Sequence, residues 1–341
     1  MSDYGESGRR VSFGTISLRS KKWYINPIIV AFMFTSILRT TSLSLLPKIE
    51  ILIYNIVMSN FTDSEKIKTI AYLGTAGSFT EMAKDYFCNK YNLNAYQMPF
   101  RTIKEIIAYV EDDKDAVGII PVENAKEGII RETNDNLINS SNVKILAETI
   151  LPANNCLLSK NSEIYNITGL IAPAPAMARC QEYIKNELPM HLNIIHTSDT
   201  EEAARLLNSY NLTYAIIGTE KTAEIYNLNI LNNNINNDKD NQTKFIMIGN
   251  FETEPTPHST SSIAIALRDV PGVLFKIVKE FADRNINITY IHTTPSKMDK
   301  DEYILYIDFD GHIKEPKIEE ATEHIKQHIK YYRFMGSYER I

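Results

Sequence analysis

The chain has 341 residues, 44% of them hydrophobic and 23% charged, with a formal net charge of −6 at pH 7. The composition is that of an ordinary globular protein, and the length admits two or three domains. The acidic balance excludes the basic footprint of a general nucleic-acid binder, and no run of like charge is long enough to be an interaction tail. Cys88, Cys156 and Cys180 form no CxxC pair and sit beside no histidine at metal-ligand spacing. They read as free, buried or half-buried thiols in a reducing compartment.

Residues 1–66 differ from the rest. Met1–Lys22 is polar and basic, and two apolar patches follow, Ile25–Leu38 and Ile49–Met58. Both are shorter than the roughly 18 apolar residues that a spanning helix needs. The stretch resembles a targeting segment, but it has no clean small-residue cleavage site. The reading carried forward is an upstream over-read with the true start at Met58, which an intact mass of the native protein checks. The stretch lacks the long, charged amphipathic helices of a further fused helical enzyme domain.

From Ile67 the pattern is regular. A short strand over Lys68–Leu73 runs into the turn Gly74-Thr75-Ala76-Gly77-Ser78. A helix over Phe79–Lys90 follows, with Ser78 and Glu81 at capping-box spacing. Ala116–Pro121 reads as a buried strand, Thr133–Ile138 as a helix and Lys144–Leu151 as a strand. Thr200–Ser209 reads as a helix, Tyr214–Gly218 as a strand and Thr219–Tyr226 as a helix. The Asn-rich stretch Asn229–Asp240 reads as a loop or hinge, and Phe245–Ile248 as a strand. This alternation predicts an α/β domain over residues 67–250 with a largely parallel sheet.

A Pro-containing linker spans 251–261. Residues 262–341 then read as strand, turn (Asp269–Gly272), helix (Val273–Arg284), strand (Asn287–Thr293), strand (Glu302–Phe309), helix (Pro316–His328) and a terminal strand near Tyr332–Gly336. That is the βαββαβ order of a ferredoxin-like domain.

Three segments are site candidates. Gly74–Thr80 opens a helix after a strand, where backbone N–H groups and the Ser78 and Thr80 hydroxyls cradle an anion; the plain alternative is a turn with an N-cap. Pro121–Gly128 lies at the end of a buried strand, where open α/β sheets bind ligands, or is a charged surface loop. Asn241–Phe245 offers a hydroxyl at Thr243 and a cation at Lys244, or is a polar loop. None names a substrate by itself.

In this order the segments "AYLGTAGSFTEMA", "GIIPVENAKEGIIRETNDNL" and "NQTKFIMIG" resemble prephenate dehydratase, and "LRDVPGVLFKIVKEF" onward resembles the ACT domain that follows it in that family. The resemblance runs from Ile67 to Arg340. It implies a two-lobed, periplasmic-binding-protein-like catalytic domain, its lobes dividing near Leu151 and rejoining near Asn229, followed by the ACT domain. It implies a cytoplasmic homodimer or homotetramer that turns prephenate into phenylpyruvate with no metal or cofactor, regulated by L-phenylalanine, with neither nucleic acid nor membrane as a partner. Arogenate dehydration and a catalytically weak amino-acid sensor are the alternatives.

Carried over by motif, Thr-Arg-Phe falls on Thr243, Lys244 and Phe245. Thr243 is expected to bond the departing hydroxyl, Lys244 to supply positive charge without the bidentate fork of arginine, and Phe245 to shape the pocket. Gly77, Ser78, Thr80, Asn124, Glu127 and Gly128 are expected to contact substrate. Several positions depart from the family: Ala125 replaces a serine, Ala172-Pro173-Ala174-Pro175 replaces Ser-His-Pro-Gln, Asn155 stands for a histidine and Thr75 for a proline. Lys126 or Arg179 could replace the lost contacts. In the second domain, Gly272, Val273 and Leu274 match the first effector motif. His292, Thr293 and Thr294 fall on the second, where the family's Glu and Arg are absent.

Overall fold

The computed structural model describes residues 66–267, 270–295 and 303–341. The readings made for the N-terminal stretch (residues 1–65), and for the Asp269 start of the second turn, lie outside them.

The first lobe runs through β1 (Thr69–Leu73), α1 (Phe79–Tyr91), β2 (Tyr96–Phe100), α2 (Ile103–Asp112), β3 (Ala116–Asn124), the short β4 (Gly128–Ile129), α3 (Arg131–Asn139) and β5 (Lys144–Pro152). The chain then crosses into a second lobe. This holds β6 (Cys156–Ser159), β7 (Gly169–Pro173), α4 (Ala174–Arg179), α5 (Gln181–Glu187), β8 (Asn193–Thr197), α6 (Thr200–Leu207), β9 (Tyr214–Gly218), α7 (Glu220–Tyr226) and β10 (Asn229–Asn232). β11 (Gln242–Gly249) returns to the first lobe. The C-terminal domain follows with β12 (Ser259–Leu267), α8 (Val273–Asp283), β13 (Ile288–Pro295), β14 (Tyr303–Asp310), α9 (Pro316–Lys326) and β15 (Ile329–Arg340).

Local chemistry sets several of these boundaries. The Ser78 hydroxyl accepts the Glu81 N–H at the start of α1, and Asn92 ends that helix in the left-handed region. Thr102 and Glu105 close a reciprocal capping box on α2, and Thr219 and Thr222 do so on α7. Each cap satisfies helix N–H groups that would otherwise lack partners.

One sheet has the order β13-β14-β12-β15-β5-β11-β3-β1-β2, with β4 added to β3; the other has the order β10-β6-β9-β7-β8. Both are mixed, not largely parallel as the alternation suggested. β1 pairs parallel with β2 and β3, but β11 lies antiparallel between β3 and β5. The cause is the route of the chain: β11 re-enters from the second lobe and runs back down the first. The Asn-rich stretch also differs from expectation. Its first residues form β10, an edge strand on β6, so the return to the first lobe comes at Gln242 and not near Asn229.

In the C-terminal domain, β12 pairs antiparallel with β14 and β15, and β13 with β14, which is the ferredoxin-like plan. One face of this sheet is covered by α8 and α9 through Ile277, Phe281, Ile318 and Ile325. The other face, with Ala264, Tyr306 and Met335, shares an apolar cluster with Ile120, Leu137 and Ile246 of the first lobe. Burying a large apolar side chain of this kind contributes roughly 1.5–3 kcal/mol relative to leaving it exposed. The end of β15 pairs parallel with β5, Arg340 opposite Glu148, and the Ile341 N–H donates to the Glu148 carbonyl at 2.9 Å. The first lobe and the C-terminal domain therefore share one continuous sheet.

Candidate active site

A cleft of about 970 Å3 opens between the lobes, at the upper end of the usual size for a small-molecule site. The first lobe lines it with Gly74, Thr75, Gly77, Ser78 and Arg101, and the second with Asn155, Pro175, Arg179, Ser198 and Arg205, among others. A smaller pocket of about 430 Å3 lies on the other side of Arg179 and Glu127, bounded by Lys126, Asn236, Asp238 and Asn241.

Contacts between the lobes hold them close. Arg179 donates through Nε and Nη2 to the two carboxylate oxygens of Glu127, at 2.6 and 2.9 Å. Lys126 pairs with Asp238, and Lys221 lies 3.3 Å from Asp85. The Gly77 carbonyl accepts from the hydroxyls of Thr219 (2.7 Å) and Thr222 (3.1 Å). Gly77 has φ +82°, and a Cβ there would lie 2.4 Å from the Thr222 hydroxyl and 3.0 Å from its Cα. Glycine is required here both by the backbone angle and by this close approach.

The expected anion cradle is partly filled from within. The Gly77 N–H donates to the Glu81 carboxylate at 2.7 Å, and the Ser78 hydroxyl is engaged as the cap. Gly77 and Ser78 do line the cleft. Thr80 does not; it is buried on α1. Its position one residue into the helix turns its side chain inward.

Thr243 and Asn124 are paired across β11 and β3. The Asn124 Nδ2 donates to the Thr243 hydroxyl oxygen at 2.9 Å, while Asn124 Oδ1 accepts the Lys126 and Glu127 N–H groups at 3.0 and 3.1 Å. Two backbone donors on one oxygen fix the orientation of the amide. Thr243 is thus an acceptor toward Asn124, and among the described residues nothing takes its own proton. Neither Thr243 nor Asn124 lines the large cleft or the smaller pocket; Asn241, just before β11, bounds the smaller one. Glu127 is held by Arg179, and Gly128, at φ +81°, has open space where a Cβ would stand.

Two of the expected catalytic residues lie elsewhere. Lys244 follows Thr243 on a strand, so its side chain takes the opposite face. Its ammonium lies 3.7 Å from both Glu123 and Glu148 and 5.3 Å from the centre of the Tyr290 ring, at the junction with the C-terminal domain. It is not a wall of the cleft. Phe245 is 1% exposed and packs with Ile70, Tyr72 and Phe87 in the first lobe's core. It supports the strand and does not line the cleft.

The departures from the family pattern divide: Ala125, Ala172 and Ala174 do not line the cleft, whereas Thr75 does. Pro173, Pro175 and Asn155 line the cleft. Asn155 is buried, and its amide donates to Asn236 at 2.7 Å. The structure adds residues that sequence reasoning omits: Arg101 and the start of α6, where Asp199 caps Glu202. The Asp-x-x-Glu spacing was a readable signal for that helix start. Of the cleft's cations, Arg179 and Arg205 already hold Glu127 and Glu201, whereas Arg101 has no ion pair among the described residues.

In the C-terminal domain, Gly272 is the left-handed N-cap of α8, with open space beside it. Val273 begins that helix, and Leu274 is largely exposed. His292, Thr293 and Thr294 lie on β13, the edge strand of the sheet. All three cysteines are free, and burial raises their thiol pKa values. Among the described residues no three His, Cys, Asp or Glu side chains cluster as metal ligands, and no helix is long and apolar enough to cross a membrane.

The prephenate dehydratase family model matches residues 70–253, and the ACT domain model matches residues 261–325. The bifunctional chorismate mutase/prephenate dehydratase of Aquifex aeolicus is 32% identical over 286 residues, which cover 84% of this chain and 77% of that protein. The prephenate dehydratase of Methanocaldococcus jannaschii is 32% identical over 276 residues, 80% of this chain and 98% of its own. Among solved structures, the prephenate dehydratase of Arthrobacter aurescens in complex with L-Phe aligns with a TM-score of 0.69 at 26% identity, covering 80% of this chain and 90% of that one. Two lobes joined through β5 and β11, an ACT-type domain on the same sheet and these matches agree: the chain belongs to the prephenate dehydratase family, with an ACT domain at its C-terminal end.

Proposed function

We propose that the protein converts prephenate to phenylpyruvate, carbon dioxide and water, and that L-phenylalanine regulates it through the ACT domain. In this reaction the carbon–carbon bond to the ring carboxylate breaks and its electron pair enters the ring. The carbon–oxygen bond at the far side of the ring breaks with it, and the oxygen leaves with its pair. Aromatisation drives both events. The protein's task is to hold two carboxylates and to give the departing oxygen a proton or a strong hydrogen bond.

The observation that carries this reading is the Asn124–Thr243 hydrogen bond. Asn124 occupies a lone pair of the Thr243 oxygen and leaves the hydroxyl proton to be donated. A neutral hydroxyl held in this orientation can follow developing charge on a leaving oxygen without reorganising. The substrate carboxylates call for cations. Arg101 is the cleft arginine without an ion pair among the described residues, and Arg179 presents a fork already set for a carboxylate. Gly77 and Ser78 form the first-lobe wall opposite. Lys244 contributes through the strand that carries Thr243 and not by touching substrate.

For the effector, Gly272, Val273 and Leu274 present a helix start to the α-carboxylate of an amino acid, and His292, Thr293 and Thr294 form the neighbouring edge. That edge strand is also the surface on which a second copy would pair, giving the homodimer or homotetramer. The test is turnover of prephenate and of arogenate by the full chain, with and without phenylalanine. Phenylpyruvate formation from prephenate that phenylalanine slows is the expected result. Turnover confined to arogenate would reassign the substrate, and turnover indifferent to phenylalanine would remove the effector role.

A further inference from the structure

The face of β11 opposite Thr243 carries a buried ionic cluster that the dehydration itself does not call for. Lys244 lies between Glu123 and Glu148. Glu148 also receives Arg340 Nε at 3.2 Å, and Arg340 Nη2 lies 3.6 Å from Asp308. Asp308 accepts from the Ser262 hydroxyl at 2.5 Å. Tyr290 closes the cluster over Lys244 with its ring. Glu123, Glu148 and Lys244 belong to the first lobe; Ser262, Tyr290, Asp308 and Arg340 belong to the C-terminal domain.

Glu148 is 4% exposed and Asp308 9%. A buried charge is costly unless it is paired and hydrogen-bonded, and removing one partner leaves the other uncompensated. Each half of this cluster therefore depends on the other for its geometry. The neighbouring strand β3 is irregular at that same place: between the pairs Lys244–Glu123 and Phe245–Pro121 its residue Val122 is passed over. A bulge re-aims the side chains beside it. Here the neighbours are Glu123, held in the cluster by Lys244, and Asn124, which holds Thr243. Tyr290 also shares a strand face with His292 and Thr294 of the effector motif, and the Tyr290 and His292 rings lie 6.5 Å apart.

We propose that Tyr290 and Arg340 of the C-terminal domain are positioning residues for the dehydration: by holding Lys244 and Glu148 they set β11 against the bulge of β3, and with it the Asn124–Thr243 hydrogen bond. This rests on the reading of Thr243 as the donor to the leaving oxygen. It gives the effector edge a short physical route to the chemistry, Thr294 and His292 to Tyr290, to Lys244, to Thr243.

The test uses the full chain with Tyr290→Leu, which removes the ring face without orphaning a buried charge, and Tyr290→Phe, which keeps it. The readouts are kcat and KM with prephenate and amide hydrogen exchange across β11 and β1. Tyr290→Leu is expected to lower kcat about tenfold with KM within about twofold, at the level of a misplaced catalytic group. It is also expected to speed exchange in β11 but not β1. Tyr290→Phe is expected to match the parent on every readout. On a Thr243→Ala background, Tyr290→Leu is expected to cost nothing further. An unchanged kcat, a change in KM alone, or a full additional loss on that background overturns the proposal. If the parent shows no turnover of prephenate, the dehydratase reading fails by itself, and exchange decides the positioning: faster exchange in β11 upholds it and unchanged exchange rejects it.

Discussion

The cleft and the domain junction use charge in opposite ways. In the cleft, the inter-lobe ion pair is simple and half open to water: Arg179 and Glu127 keep 30% and 54% of their side-chain surface. Pairs of this kind contribute roughly 0–1 kcal/mol. At the junction, Glu148 and Asp308 are sealed, and each is held by more than one partner. The first arrangement suits a site that must admit and release a dicarboxylate. The second suits a joint whose geometry must not drift. Thr243 and Lys244, adjacent on β11, point to opposite faces, and Lys244 is the one that reaches the junction.

Four substitutions break or sharpen this contrast. The largest effect is expected at Thr243: Thr243→Ala removes the hydroxyl proton and is expected to lower kcat roughly 100-fold with little change in KM, as steady-state kinetics would show. Gly77→Ala comes next. It strains a left-handed position and drives a methyl into Thr222, so the lobes cannot meet as they do here. A loss of about tenfold in kcat/KM is expected, together with a larger radius of gyration by solution scattering. Arg179→Gln, which opens the fork, is expected to raise KM a few-fold and to leave thermal stability nearly unchanged, since the pair is half exposed.

The smallest effect concerns pH. Burial is the main cause that raises the carboxyl pKa values of Asp308 and Glu148. A carboxyl whose folded pKa lies above its unfolded one contributes stability that is fully present below the unfolded value and is lost as pH rises through the folded one. Groups facing these carboxyls are Glu123, Lys244, Arg340, Tyr290 and Tyr338. Asp308→Asn is therefore expected to flatten the decline of Tm with rising pH across the acidic range; a slope equal to the parent's would show that Asp308 does not titrate differently in the folded state.

Much of the fold was legible in local signals. Ser78 with Glu81, the buried run Ala116–Pro121 and the βαββαβ order of the last domain all lie where sequence places them. The α2 helix was readable as well, because Thr102 and Glu105 form a capping box. What was not legible depends on partners distant in the chain. The antiparallel placement of β11 follows from the long passage of the chain through the second lobe between Pro152 and Gln242. The facing of Lys244 could have been inferred from strand alternation with Thr243, yet the motif lists the two together and hides that they point apart. The role of Arg340 has no local signal at all: its partner Glu148 lies on β5, in another domain. Ser78 was legible as a cap from its spacing to Glu81, whereas Asn124 and Thr243 were named through the family resemblance, and their hydrogen bond joins residues 119 positions apart with no local signal.

The most direct measurement follows phenylpyruvate formation from prephenate by the full chain and by Thr243→Ala, side by side, on protein shown to be folded by circular dichroism. The account predicts turnover by the parent and a kcat roughly 100-fold lower, at similar KM, for the variant. No turnover by the folded parent, or a variant within a few-fold of it, would contradict the account.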